Sequence, residues 1–355
     1  MKAPKVLLIT HKMNGNIWCK GLFEKHGCET NYIITSTYGS KWNILIRLKR
    51  RLNMNIACYM RRRQKRLYKK VLSICESFRP NIIVVLQGIH FCEEQIRNLR
   101  KKHFVVLYLS DKIWRYPQLK RLASYYDVVY AYTKDDYELL REHDINCKFF
   151  PPVGNPFIYR NQNLIRDIDI SFVGSLYPIN DYGNRYEVLK QIIHDFPNTN
   201  IQIYGKCAPL RKPSLFTEWV LSKEYRKHFK NKYISEEQCN TIYNRSKICL
   251  CIEPATGNGW SSRLANILLT GSFVLTTNNE IAKSVLGDCL VFFSDYEDLK
   301  SKIKYYLNHD EERCRIAYYG SKEFLERIRT IQSISREEDV LHEYSLSLDR
   351  VGVKK

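Results

Sequence analysis

The run Asn258-Gly259-Trp260-Ser261-Ser262-Arg263-Leu264-Ala265-Asn266, continuing through Thr270-Gly271-Ser272-Phe273-Val274-Leu275, holds the residues of this chain best suited to chemistry. Small residues open an apolar-periodic helix, Arg263 stands in its first turn, and Gly271 closes it before a β-rich run. A helix start exposes unpaired N–H groups and the positive end of the macrodipole, so an anion is stabilised there. An arginine adds a planar fork that grips two oxygens at once. An ordinary helix entry with a surface arginine fits the same residues, so the neighbouring loops carry the decision. Phe172-Val173-Gly174-Ser175 ends an apolar run and is followed by Arg185; Ile203-Tyr204-Gly205-Lys206 repeats the pattern with a lysine; Glu253 ends the run Ile248 to Ile252. Glycine permits close backbone approach to a ligand. Gly174, Ser175, Arg185, Tyr204, Gly205, Lys206, Glu253, Gly259, Ser261, Ser262 and Arg263 are therefore the candidate binding set, assembling cations and glycine backbone as a nucleotide diphosphate requires.

Proton transfer needs a different kind of residue. Asp111 follows the run Phe104 to Ser110 and is the first candidate base, with His90, just after Gln87-Gly88, and His11, just after the first apolar run, as alternatives. Each of these is equally readable as a loop residue satisfied by hydrogen bonds. Asp167-Ile168-Asp169 spells D-x-D, a pattern able to hold a metal, but Asp169 opens a strand and reads better as a structural cap, so no metal is expected. No G-x-S-x-G run supports covalent hydrolase chemistry.

The elements that must position these residues alternate in type. Apolar runs at Lys5 to Thr10, Asn81 to Gln87, Phe104 to Ser110, Val128 to Thr133 and Cys147 to Phe150 are separated by helical periodicity, as in Cys92 to Lys102 and Lys134 to His143. Pro151-Pro152-Val153-Gly154-Asn155-Pro156 and a polar stretch to Asp167 interrupt the alternation. It restarts with Asp169 to Val173, a helix from about Arg185 to Phe196, Ile201 to Tyr204, a helix opened by the capping-box pair Ser235 and Gln238, and Ile248 to Ile252. Strands at Phe273 to Thr276 and Leu290 to Phe293 and a helical tail from Tyr296 complete it. Continuous apolar strands alternating with helices predict parallel sheets covered on both faces. The expected fold class is α/β, two doubly wound Rossmann-like domains facing a central cleft: residues 1–155, residues 156–335, and a tail 336–355 that could cross back to the first domain.

The 355 residues, 44% of them apolar, suffice for two cores. The 12 cysteines are scattered without C-x-x-C or zinc spacing, so reduced thiols are expected, and Cys249 and Cys251 share one strand face as core filling. No apolar run reaches the roughly 18 residues of a membrane span and no signal-like stretch opens the chain, so a cytoplasmic location is expected. The formal charge of +20 is concentrated: from Thr30 to Cys75 there is no acidic residue, while twelve cations accumulate from Lys41 to Lys70. Interleaved apolar residues suggest amphipathic helix, whose outer face would meet an anionic membrane, an anionic acceptor or nucleic acid, unless it is simply a solvated surface. Nucleic-acid motifs are absent, so no specific nucleic acid is expected.

Several of these runs, taken in order, resemble one family. Asp169 to Ser175, Arg185 before Leu189, Ile203-Tyr204-Gly205, Glu236-Glu237 to Ile248, and Ser262-Arg263 to Leu275 are similar to the C-terminal domain of CgeB-like glycosyltransferases. Tyr296 to Leu299, Ile303 to Leu307, Asp310 to Arg313 and Gly320 resemble that family's closing helices, and the likeness spans roughly residues 105 to 345. It implies the GT-B architecture, with a nucleotide-sugar donor on the second domain, an acceptor (glycan, lipid-linked or protein) on the first, and no cofactor beyond the nucleotide-sugar co-substrate. One departure stands out: where related transferases carry glutamates that contact the donor, this chain has Asn258 and Asn266, which hydrogen-bond without charge. Two other function classes remain in view, a non-catalytic binder of anionic surfaces and a nucleotide-sugar epimerase.

Overall fold

Eleven short strands among the described residues build two parallel sheets, each in a unit of its own. The computed structural model describes residues 3–10, 18–35, 57–88, 90–176, 185–205, 220, 222–253, 260–331 and 335–350. The first unit comprises Met1–Phe150 together with Ile334–Lys355, and the second Pro151–Ser333.

In the first unit β1 (Lys5–Thr10), β2 (Glu29–Ile34), β3 (Ile82–Leu86), β4 (Phe104–Tyr108), β5 (Val128–Ala131) and β6 (Cys147–Phe149) lie in the order β2-β1-β3-β4-β5-β6, all parallel. Ile82 to Val85 and Val105 to Leu107 are buried because helices cover both faces. Leu7, Ile83, Val85 and Leu107 pack with Leu67 and Val71 of the helix Ala57–Phe78 on one side. Val6, Val84, Val106, Tyr108 and Tyr130 pack with Phe23 of the helix Trp18–Lys25 and with Val340 on the other. Burying each such side chain contributes about 2 kcal/mol. Val340 belongs to the closing helix Arg336–Arg350, so the last described element of the chain completes the core of its first unit.

In the second unit β7 (Ile168–Val173), β8 (Ile201–Tyr204), β9 (Ser246–Cys251), β10 (Val274–Thr277) and β11 (Val291–Phe293) are parallel in the order β11-β10-β9-β7-β8. The helix Glu236–Arg245 starts with the expected capping box, Ser235 and Gln238 each bonding the other's backbone N–H. Cys249 and Cys251 are fully buried on one face of β9. The ten cysteines whose side chains are described are free thiols. In both sheets the chain lays its second strand on one side of the first and then crosses to the other, placing switch points at β1/β3 and β7/β9. Ligands of doubly wound sheets sit beyond the carboxyl ends of strands at such points.

The strand β2 was not expected from the sequence. Glu29, Thr30, Asn31 and Tyr32 are polar and mostly half-exposed because β2 is the sheet edge, so the apolar run that marks the other strands is missing. The helix expected across Lys41 to Lys70 begins at Ala57 among the described residues and runs on to Phe78; residues 36–56 lie outside them. Among the described residues no helix is long and apolar enough to cross a membrane.

Candidate functional site

The β7/β9 switch gathers most of the described donor-site candidates. Gly174 and Ser175 follow β7, Glu253 follows β9, and the helix Ser262–Leu269 starts beside them with Ser261 as its cap, the Ser261 hydroxyl accepting from the Leu264 N–H. Arg263 does not extend into bulk solvent. Its guanidinium carbon lies 5.5 Å from the centre of the Phe172 ring. A methyl group placed on Gly174 would sit 2.7 Å from Arg263 Nη2, so the guanidinium rests directly on glycine backbone. Nη1 is buried and has no hydrogen-bond partner among the described residues. Burial disfavours the charge, but the adjacent Cys251, Glu253 and Tyr243 groups outweigh that and hold the pKa of Arg263 above its ordinary value. A half-buried cation with a buried, unused donor is a costly arrangement unless an anion completes it.

The neighbouring strand ends meet just as closely. The Gly174 N–H donates to the Tyr204 carbonyl at 2.9 Å. A methyl group on Gly205 would come 2.2 Å from the Gly174 carbonyl oxygen, which only glycine allows.

Three candidates have structural duties that their sequence context did not reveal. Arg185 is buried, its Nε donating to the Ile252 carbonyl at 2.8 Å and Nη1 to the Ser175 carbonyl at 3.4 Å, so it pins the loops after β9 and β7 together. The Glu253 Oε1 accepts from the Ser261 N–H at 3.1 Å, from the Ser261 hydroxyl and from the Cys251 thiol at 3.2 Å. The unpaired amides expected of this helix start are thus reduced by one: a carboxylate already occupies the Ser261 N–H, because a buried glutamate needs donors and the helix start supplies them. Asn266 Oδ1 accepts from the Asn155 N–H at 2.9 Å, attaching the helix to the segment that follows the domain junction. The Trp260 indole donates to the Pro152 carbonyl at 2.8 Å and reinforces that attachment. Tyr204 lies on the half-exposed face of the edge strand β8, its hydroxyl donating to Gln202 at 2.8 Å, and burial raises its pKa. Ser262 is exposed. Lys206, Asn258 and Gly259 lie outside the described residues, as does His11.

In the first unit His90 and Asp111 both stand at the carboxyl edge of the sheet, beyond β3 and β4. Gln87, which sequence reasoning noted only as the neighbour of Gly88, links these two ends. Its Oε1 accepts from the Ser110 N–H at 2.9 Å and the Ser110 hydroxyl at 2.7 Å, and its backbone takes the left-handed φ of 67°. A polar residue beside a glycine at a strand end was the available signal. Asp111 Oδ1 accepts from the Lys112 N–H at 3.0 Å.

The D-x-D carboxylates lie at the opposite, amino-terminal edge of the second sheet. Asp167 pairs with Arg245, which holds its carboxyl below the usual range. Asp169 pairs with Lys247 at 2.8 Å and accepts from the Asn200 N–H at 2.9 Å. Among the described residues no cluster of three or more His, Cys, Asp or Glu side chains could hold a metal ion.

Residues 185–335 match the family model described as glycosyl transferase-like. No curated protein matches the chain in sequence. Among solved structures, the chain is similar to sucrose-phosphate synthase from Thermosynechococcus elongatus, with a TM-score of 0.68 at 13% identity over 99% of this chain and 100% of that one. It is similar also to the catalytic domain of starch synthase IV from Arabidopsis thaliana bound to ADP and acarbose, with a TM-score of 0.64 at 9% identity over 98% and 100% of the two chains. A UDP-GlcNAc 2-epimerase from Neisseria meningitidis bound to UDP-GlcNAc matches with a TM-score of 0.55 at 14% identity over 91% and 98%. The second unit thus carries a glycosyl transferase-like sequence, and the two Rossmann-like domains of the chain make up the GT-B fold of glycosyltransferases.

Proposed function

We propose that this chain is a glycosyltransferase, similar to the CgeB-like enzymes, that binds a nucleotide-diphosphate sugar at the β7/β9 switch. The observation that supports this most is the Arg263 guanidinium, charged, half-buried against the Gly174 backbone and with a buried Nη1 unmatched among the described residues. A diphosphate oxygen would supply the missing acceptor. The starch synthase domain holds ADP and the epimerase holds UDP-GlcNAc, and the chemistry of this site suits the same ligand class.

In the proposed reaction the bond from the anomeric carbon to the diphosphate oxygen breaks, and the diphosphate leaves with the electron pair. The acceptor hydroxyl oxygen forms the new glycosidic bond, and its proton passes to a base, for which Asp111, His90 and His11 are the candidates. Arg263 is aimed at the charge that develops on the leaving group, a contribution that preorganised donors make with little reorganisation. Lys206, Asn258 and Gly259, outside the described residues, belong to the proposed donor-binding set by their place in the sequence alone. With a cation already in place, the leaving group is stabilised without a metal. The acceptor is a glycan, a lipid-linked sugar or a protein hydroxyl.

Thermal-shift screening against UDP-, GDP-, ADP- and CMP-sugars identifies the donor, and Arg263→Ala is expected to remove the response while the melting temperature of the free protein is kept. Rate should fall on the order of a hundredfold or more. Unchanged calorimetric affinity in that variant would defeat the assignment. Turnover is expected to survive a chelator, and strict manganese dependence would overturn the metal-free mechanism. The similarity to an epimerase supports a second reading, which the same assay separates: an epimerase alters the donor with no acceptor present.

A further inference from the structure

The helix Ala57–Phe78 presents a charged face that the nucleotide-sugar reading does not use. Successive helical residues advance by about 100°, so Arg61, Arg62, Lys65, Arg66, Lys69 and Lys70 fan over one half of the circumference. All six are exposed. The other half is an anchor: Leu67, Val71 and Cys75 are buried in the first core, Tyr68 and Ile74 pack against it, and Arg63 donates to the Thr35 carbonyl at 3.1 Å. The helix is held from one side and offers its cations on the other.

Nothing among the described residues neutralises them. None of the six takes part in the ion pairs formed there. The nearest acid along this face is Glu76, a turn and a half beyond Lys70. Five further cations, Lys41, Arg47, Lys49, Arg50 and Arg51, precede the helix in the same acid-free stretch, outside the described residues.

The make-up of the face selects among polyanions. Among its described side chains, from Arg61 on, the face exposes beyond the cations Leu72, Ser73, Glu76 and Ser77 and no aromatic or amide group. Single-strand nucleic-acid binders stack bases on aromatic rings, of which this face shows none; its arginines could also meet a duplex backbone, an outcome the oligonucleotide competition below separates. A broad fan of long cations, with a leucine 39% exposed at its margin, instead matches a plane of negative headgroups with acyl chains beneath.

We propose that this face docks the first unit onto an anionic lipid bilayer. The inference stands apart from the nucleotide-sugar reading, since lipid would bind the first unit whether or not the second holds a donor.

The test uses the full chain and vesicles of phosphatidylcholine with about one third phosphatidylglycerol, against pure phosphatidylcholine, in a sedimentation assay. Binding to the anionic vesicles should exceed that to neutral ones by at least about tenfold and should collapse as salt rises from about 0.05 M to about 0.5 M. The joint variant Arg62→Glu, Lys65→Glu, Arg66→Glu and Lys69→Glu should lose at least about tenfold in vesicle affinity. Its melting temperature and its response to nucleotide sugars should be those of the parent; should it misfold, the four glutamine replacements serve in its place. Equal sedimentation with both vesicle types, or unchanged binding by the variant, overturns the proposal. An oligonucleotide that strips the protein from vesicles at equal phosphate concentration overturns it in favour of nucleic acid.

Discussion

Gly174 and Gly205 set how closely the carboxyl edge of the second sheet can gather, and they do so against different neighbours. The Gly205 position faces the Gly174 carbonyl at 2.2 Å, which is backbone and cannot swing aside, whereas the Gly174 position meets first the end of the flexible Arg263 side chain, with the Phe172 ring edge at 3.0 Å. The two alanine variants should therefore part company. Gly205→Ala is expected to cost about 1–3 kcal/mol of stability, read as a lowered denaturant midpoint. Gly174→Ala should keep most of the stability but push the guanidinium off its seat, weakening nucleotide-sugar affinity by about tenfold in calorimetry. Equal donor affinity in Gly174→Ala and the parent would argue that Arg263 is not the phosphate ligand. Arg263 was legible in the sequence, since an arginine in the first turn after a small-residue loop is a local pattern. The duties of Arg185 and Glu253 were not: Arg185 meets Ile252 and Ser175 only when β7 and β9 lie side by side, and Glu253 meets Ser261 only once the loop after β9 folds back on itself.

At the scale of elements, the arginine-bearing helix Ser262–Leu269 is fastened at its start and at its middle. Glu253 and Ser261 secure its start, and Asn266 and Trp260 attach it to the segment Pro152 to Asn155. Asn266 occupies a position where related transferases place a glutamate for the donor; here its Oδ1 serves the chain itself. Asn266→Ala should leave the Asn155 N–H unsatisfied, cost about 1–2 kcal/mol, and speed proteolysis near Gly154, as measured by cleavage-site mapping. Unchanged cleavage would show that Trp260 alone holds the segment. Ten of the eleven strands were anticipated from apolar runs, because a strand covered on both faces must be apolar throughout. The edge strand β2 broke that rule and was missed.

The whole molecule depends on its last described helix returning to the first unit. Arg336 lies 3.8 Å from the centre of the Tyr108 ring and donates to Cys19 Sγ at 3.4 Å, where burial pushes that thiol up to about 12. Asp339 accepts from the Tyr130 hydroxyl at 2.6 Å and pairs with Lys148 at 2.8 Å; Glu343 pairs with the same lysine at 2.8 Å. Burial and then Asp339 raise the pKa of the Tyr130 hydroxyl, so it stays protonated and keeps donating. A chain ending at Ser335 should therefore lose cooperative melting of residues 1–150 while the second unit keeps its nucleotide response. A native-like melt of the first unit in that truncation, followed by hydrogen exchange at Val128 to Ala131, would refute the dependence.

The sequence by itself determined the elements and their class, since burial on both faces dictates the apolar runs and capping and glycine chemistry act within a few residues. It also pointed to the loop where an anion would be held. Tertiary structure alone decided which candidates are available to a ligand, because Arg185 and Asn266 find partners distant in sequence and the Glu253 carboxylate takes the Ser261 amide across the folded loop between them. It likewise decided that the closing helix belongs to the first unit, through a core contact at Val340 and ion pairs at Asp339 and Glu343 that no local pattern encodes.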